Sequence, residues 1–262
     1  MVRSRLHLKL AAPLLVLALG LLASSMLRQN AGAAGKDATT LDGRPLTPAG
    51  SLLIDKATGK PAVGAMPMAF VRSPDKSGPN GGGRYLVSVN SGYGVQFGGK
   101  DKPAQSLAVI DLNARPAAVI QTVYFPSPQS VNVGAAFDSR SEADGSHKLY
   151  VSGGVENKIW ILRFKPGAEK PLSPQPASNL EKVTAPSIDV AGLAAEKPDF
   201  AYNSGRAAVY PTGLALGAAG RRLFVANDLS DNLGILTSTE GGQWKQTAVD
   251  LHRENKSEFV YP

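Results

Sequence analysis

A three-part apolar phrase occurs three times along this chain and constrains the fold more than any other feature. The first copy reads Met66-Pro-Met-Ala-Phe-Val71, Leu86-Val-Ser-Val-Asn90 and Leu107-Ala-Val-Ile-Asp111. The second reads Val133-Gly-Ala-Ala-Phe137, Leu149-Tyr-Val-Ser-Gly153 and Ile159-Trp-Ile-Leu162. The third reads Pro211-Thr-Gly-Leu-Ala-Leu216, Leu223-Phe-Val-Ala-Asn227 and Leu233-Gly-Ile-Leu236. Each phrase is short, apolar and bounded by Gly, Pro, Asn or Asp, which is the pattern of a strand between turns. Sets of short antiparallel strands that recur along a chain predict small sheets stacked on one another, as in a β-propeller.

The middle phrase of the third copy places Leu223 and Val225 on one side and Phe224 and Ala226 on the other. Both sides are apolar, which suits a sheet held between neighbouring sheets. Outer fourth strands are expected at Ala118–Tyr124 and Trp244–Leu251, with a weaker candidate at Ser187–Val190. Leu86 to Leu149 is 63 residues and Leu149 to Leu223 is 74, whereas a propeller blade takes roughly 40 to 50. The excess is expected in insertions at Gly92–Gln105, Arg140–Ser146 and Lys165–Ala207. Long insertions at sheet tips add little closure entropy and commonly carry binding function. A turn or two of helix is expected only at Val190–Lys197, before Pro198. With 28 Gly and 19 Pro in 262 residues, punctuation is dense enough for many short strands. The fold class expected is all-β: a partial β-propeller of about three to four four-stranded antiparallel blades over residues 63–262.

The first residues read differently. Arg3, Arg5 and Lys9 precede an apolar run from Leu10 to Leu27, and Ala31-Gly-Ala33 follows. That order is a secretory signal peptide over residues 1–33, with a polar lead-in segment over 34–62. A periplasmic or secreted location is expected, with membrane contact only through this segment. An uncleaved anchor would leave the rest of the chain on the same side. The formal charge of +7 shrinks accordingly. Residues 1–33 hold four basic residues and no acid, leaving 24 basic against 21 acidic, or +3. So small a surplus does not point to nucleic acid. The absence of cysteine excludes disulfides, thiolate metal sites, a thiol nucleophile and a lipoprotein anchor.

Motifs with possible chemistry reduce to turns. Ser73-Pro-Asp-Lys76 and Ser230-Asp-Asn232 match two of the three β-lactamase signatures. However, Lys56-Ala-Thr-Gly59 does not supply the third, and Ser73 lies between strands instead of opening a helix. Gly78-Pro-Asn-Gly-Gly-Gly83 lacks the ending of a phosphate loop. His147 and His252 stand alone. Asn227-Asp-Leu-Ser-Asp-Asn232 is oxygen-rich but lacks the alternation and closing Glu of a calcium loop. Tyr150, Trp160 and Phe164 fall in or beside strands and are expected in the core. No catalytic, cofactor-binding or metal-ligating residue is assigned, and no cofactor is expected.

Arg222-Leu-Phe-Val-Ala-Asn227 followed by Asn232-Leu-Gly-Ile-Leu236 resembles the repeat of YVTN-type (YncE-like) β-propellers. Four ordered stretches are similar to the propeller half of a bacterial family that joins such a propeller to an alkaline-phosphatase-superfamily phosphoesterase domain. They are Leu46–Gly50, Gly83–Leu86 with Asn90–Gly94, Leu149–Gly154, and Tyr210–Leu214 with Asn227–Asn232. The resemblance covers residues 40–262 and has no counterpart of the phosphoesterase domain, so none of its metal-binding or nucleophilic residues carries over. Three blades are clear and Glu258–Pro262 resembles the opening strand of a fourth, so the sequence is expected to be the front part of a longer protein.

The leading expectation is a secreted or periplasmic module, not catalytic by itself, that presents blade loops to an unknown ligand or protein. The alternative is a propeller-face hydrolase of lactonase-like or phosphoesterase-associated type. The placement of Asn90, Asn227 and Asp228 separates the two: convergence on one cavity favours the enzyme, separate turn-capping the binding module.

Overall fold

The computed structural model describes residues 63–64, 66–92, 105–115, 117–194, 209–217 and 219–251, and the backbone of 201–202 and 206–207. The signal-peptide segment, most of the lead-in, the core of the Gly92–Gln105 insertion, His252 and Glu258–Pro262 lie outside the described residues.

Three antiparallel sheets account for the repeated phrases. The first is a meander of β1 (Pro67–Arg72), β2 (Tyr85–Asn90), β3 (Ser106–Asp111) and β4 (Ala118–Tyr124). The second holds β5 (Ala135–Phe137), β6 (His147–Ser152) and β7 (Lys158–Phe164), edged by β8 (Leu172–Ser173) and β9 (Ser187–Asp189). A two-residue ribbon, β10 (Ala201–Tyr202) with β11 (Arg206–Ala207), precedes the third sheet. That sheet is a meander of β12 (Pro211–Leu216), β13 (Arg222–Asn227), β14 (Asn232–Ser238) and β15 (Trp244–Asp250). Among the described residues there is no α-helix, only three 3₁₀ turns; one of them, Ala191–Leu193, stands where the short helix is expected.

The second sheet departs from the four-strand plan at its edge. Two short strands share the outer position: β8 pairs with Arg163 and Phe164, and β9 with Lys158, Ile159 and Trp160. The Lys165–Ala207 stretch is therefore partly sheet edge and not wholly insertion. Gln121 helps hold the interrupted edge: its side-chain amide donates to Leu172 O at 2.6 Å and accepts from Leu172 N at 2.8 Å. Gln129 repeats the device on Val183, at 2.8 and 2.7 Å.

Side-chain alternation decides how the sheets stack. Tyr85, Val87 and Val89 on β2 join Leu149, Val151, Trp160, Leu162 and Phe164 of the second sheet in one buried cluster. Tyr150 and Ile159, on the other face of the second sheet, join Leu223, Val225 and Leu236 in another. The middle sheet is thus buried on both faces by the other two, by the parity of a two-residue repeat. Edge-to-face rings reinforce both contacts: Tyr85 on Phe164 at 5.5 Å, Phe137 on Phe164 at 5.2 Å, and Tyr150 on Trp244 at 5.9 Å. Tyr150, Trp160 and Phe164 are core residues, as the pattern requires.

Burial pushes the Tyr150 phenol up to about 12 from an ordinary 10. A raised phenol keeps its contribution below the unfolded value and loses it as pH rises toward the folded one. Stability is therefore expected to fall between about pH 10 and 12, by about 2 kcal/mol from this residue, and Tyr150→Phe to flatten that fall. Urea midpoints of the two proteins measured across that range check it.

A candidate ligand-binding rim

Hydrogen bonds between sheets show that strand 2 of every sheet ends on the same rim. Gln105, which enters β3, accepts from Val131 N at 3.0 Å just before β5. Asn157, in the β6–β7 turn, accepts from Val209 N at 2.8 Å and Tyr210 N at 3.0 Å just before β12. At the opposite rim Gly167 N donates to the Tyr85 hydroxyl at 3.1 Å, and the Arg140 guanidinium to Gly220 O at 2.8 Å.

Each first strand enters from the strand-2 rim in the same way. Ser91 N donates to Met66 O, Asn132 N to Ser152 O, and Asp228 N to Tyr210 O, at 3.2, 2.8 and 3.1 Å. Met66 and Tyr210 both take positive φ, 53° and 54°, ahead of a proline and a bulge. Non-glycine residues held in that region mark an over-determined backbone.

The polar side chains under this rim serve the turns. Asn90 is fully buried; its amide donates to Val63 O at 2.5 Å and Ser106 Oγ at 3.1 Å, and its oxygen accepts from Ser88 at 2.8 Å. Asn227 is also fully buried and donates to Asn232 Oδ1 at 2.7 Å, while Asn232 donates to Leu193 O at 2.8 Å. Asn90 and Asn227 thus cap their own sheets separately, and Asp228 remains half-buried at the surface. In Asn227–Asn232 the oxygen of Asn232 faces an amide, as in a turn and unlike a calcium loop.

Between the first and second sheets the rim is tied by charge. The Glu156 carboxylate accepts from Ser130 N at 2.8 Å and pairs with Lys158 at 2.7 Å. The Lys158 ammonium lies 3.7 Å from the centre of the Trp160 ring, whose indole donates to Ser130 O at 2.8 Å. Val155 stands exposed beside them. Neither Glu156 nor Asn157 stands out in the sequence; the available signal was a Glu-Asn turn directly ahead of a strand.

The remaining sequence motifs lie on the opposite rim and are structural. Ser73 accepts from Tyr85 N at 3.0 Å and donates to Asp75. Gly78–Gly83 forms a 3₁₀ turn whose carbonyls, Pro79 O and Gly83 O, take the Arg72 guanidinium at 3.0 and 2.9 Å. His147 is buried with Nδ1 at 3.1 Å from Asp138 O and Arg140 O. Both are acceptors, so Nδ1 carries the proton and donates. Arg84, hydrogen-bonded to Asp111, holds that carboxyl below its usual range. For Asp138, burial acts upward and the hydrogen bonds from Arg140 outweigh it. Among the described residues, no three His, Asp or Glu side chains gather as a metal-ion group would.

No protein-family model matches the chain, and no curated protein matches it. Solved structures that match the chain include a protein from Lactobacillus plantarum, at 14% identity over 74% of this chain and 45% of that one, TM-score 0.40. The periplasmic gluconolactonase PpgL of Pseudomonas aeruginosa gives 20% identity over 66% and 41%, TM-score 0.38. A candidate 6-phosphogluconolactonase from Bacteroides fragilis gives 15% over 76% and 49%, TM-score 0.40. The chain spans less than half the length of each of these proteins.

Proposed function

We propose that this chain supplies consecutive blades of a YVTN-type β-propeller and acts, outside the cytoplasm, as a binding module for a small polar ligand at its strand-2 rim. The supporting observation is that three strand-2 ends share one rim while the two buried amides there, Asn90 and Asn227, donate within their own turns. What the rim offers a ligand is the exposed Val155 and the half-buried Asp228, an apolar edge with a carboxylate. A carboxylate beside an apolar edge suits hydrogen bonds from a hydroxyl-rich molecule. Loops on a rigid sheet scaffold are where such binding commonly sits.

The second reading is a propeller-face hydrolase of the lactonase type, the class of activity in the names of two of the similar structures. Of the three residues that would mark it, Asp228 is the one left at the surface of the rim and would be its carboxylate. One assay separates the readings. The chain is incubated with glucono-δ-lactone, its 6-phosphate and an aryl phosphate, with and without divalent metal, and proton release and melting temperature are followed. A raised melting temperature with the uncharged lactone and no turnover above its spontaneous opening is expected. Lactone opening lost in Asp228→Asn would transfer the assignment to the hydrolase. Robust phosphate-ester turnover would overturn both readings.

A further inference from the structure

Each of the first two sheets hands the chain to the next through a single residue at the strand-2 rim. That residue stands directly before the third strand of its sheet. Its backbone oxygen receives the N–H that follows the outer strand, and its side-chain oxygen receives the chain on its way into the next sheet. In the first sheet it is Gln105, before β3. Its backbone oxygen accepts from Phe125 N, after β4, at 3.0 Å, and its side chain from Val131 N at 3.0 Å. In the second it is Asn157, before β7. Its backbone oxygen accepts from Val190 N, after β9, at 2.9 Å, and its side chain from Val209 N and Tyr210 N. In the third sheet the same place belongs to Asp231, before β14. Its backbone oxygen accepts from Leu251 N, after β15, at 3.0 Å. Asp231 is buried, and its φ of 44° matches the 51° of Asn157.

The segment that meets Asp231 can be picked out in the sequence. Val209-Tyr210-Pro211 leads into β12, and Val260-Tyr261-Pro262 repeats it residue for residue. We infer that the Asp231 carboxylate accepts the backbone N–H groups of Val260 and Tyr261, as the Asn157 side chain accepts those of Val209 and Tyr210. This contact rests on the reading of consecutive blades and adds the one that follows the third. The connection is long enough: Val131 comes six residues after Phe125, and Val260 nine after Leu251. Apolar packing agrees with the polar match. Val131 is buried with the first sheet, and Val209 is buried in one cluster with Tyr150 and Ile159 of the second. Phe224 and Leu233 hold the places of Tyr150 and Ile159 in the third sheet and are half-buried; Val260 is the side chain that this contact sets on them. Asp, like Asn, tolerates the left-handed backbone at this position, and a carboxylate accepts N–H bonds more strongly than an amide oxygen does.

Residue-resolved hydrogen exchange on the full chain tests the contact. The Val260 and Tyr261 amides are expected to exchange at least about tenfold more slowly than in a free peptide of residues 252–262. Asp231→Ala is expected to return both to the peptide rate and to leave Val209 and Tyr210 as slow as before. Asp231→Asn keeps an acceptor and tolerance of that φ, and is expected to preserve the protection. Should Asp231→Ala lose its strand spectrum, Val260→Pro removes a donor from the other side and is expected to release the Tyr261 amide. Val260 and Tyr261 exchanging at the peptide rate, or protection indifferent to these variants, overturns the Asp231 contact. If Val209 and Tyr210 are then slow and released by Asn157→Ala, the consecutive blades stand. If that pair is unprotected too, the blade reading falls with the contact.

Discussion

Gly134→Ala is expected to unfold this protein more readily than any other single methyl addition away from the turns. A Cβ at Gly134 would lie 2.0 Å from Thr212 O, 2.8 Å from Leu214 Cγ and 2.9 Å from Leu214 N. Two of those three neighbours are backbone atoms, at the bulge where β12 meets β13, so no rotamer relieves the overlap. The second and third sheets must move apart where Gly134 N also donates to Ser152 Oγ at 2.9 Å. Overpacking at a rigid contact costs about 1–3 kcal/mol and more where backbone must shift; about 3 kcal/mol would lower the melting temperature by roughly 10 °C in a domain of this size. Gly192→Ala is the control, since a Cβ there meets nothing within 4 Å, and it is expected to change stability by no more than about 0.5 kcal/mol. Calorimetry of the two variants makes the comparison.

Asn157→Ala is expected to be nearly as damaging. The side-chain oxygen of Asn157 receives the N–H groups of both Val209 and Tyr210, and Val209 is fully buried. Removing the acceptor leaves two donors inside the sheet contact without a partner, at about 1–3 kcal/mol for each one so left. Asn157 also sits at φ 51°, a conformation Asn tolerates and Ala resists. The loss is expected to be about 2–4 kcal/mol by urea unfolding. Asn157→Asp retains both an acceptor and tolerance of that φ, and is expected to recover most of it. Equal damage from Asp and Ala would show that the side-chain oxygen is not what joins the two sheets.

Much of the sheet layout could be read in the sequence because alternation and turn residues are local signals. The three middle phrases fall on β2, β6 and β13, and Ala118–Tyr124 and Pro211–Leu216 match their strands end to end. Where the reading fell short, the controlling contacts are distant in sequence. β8 is two residues between prolines and exists because Gln121, 51 positions away, supplies its hydrogen bonds. The Asn157 clamp spans 52 residues. The rim followed the same divide. Asn90, Asn227 and Asp228 could be picked out as strand-end polar residues, but whether their side chains converge depends on the turns that engage them. Glu156 has no motif at all; its role comes from Ser130 and Lys158 meeting it in space.

The central claim is a stack in which the middle sheet is covered on both faces by the first and the third. Native-state hydrogen exchange, resolved by residue, tests it most directly, because protection follows local burial and packing. The slowest amides are expected in β6 and β7, at Leu149–Val151 and Ile159–Leu162, with β4 and β15 exchanging faster by at least about tenfold. Uniform protection across the three sheets, or slower exchange in β15 than in β6, would contradict the stack.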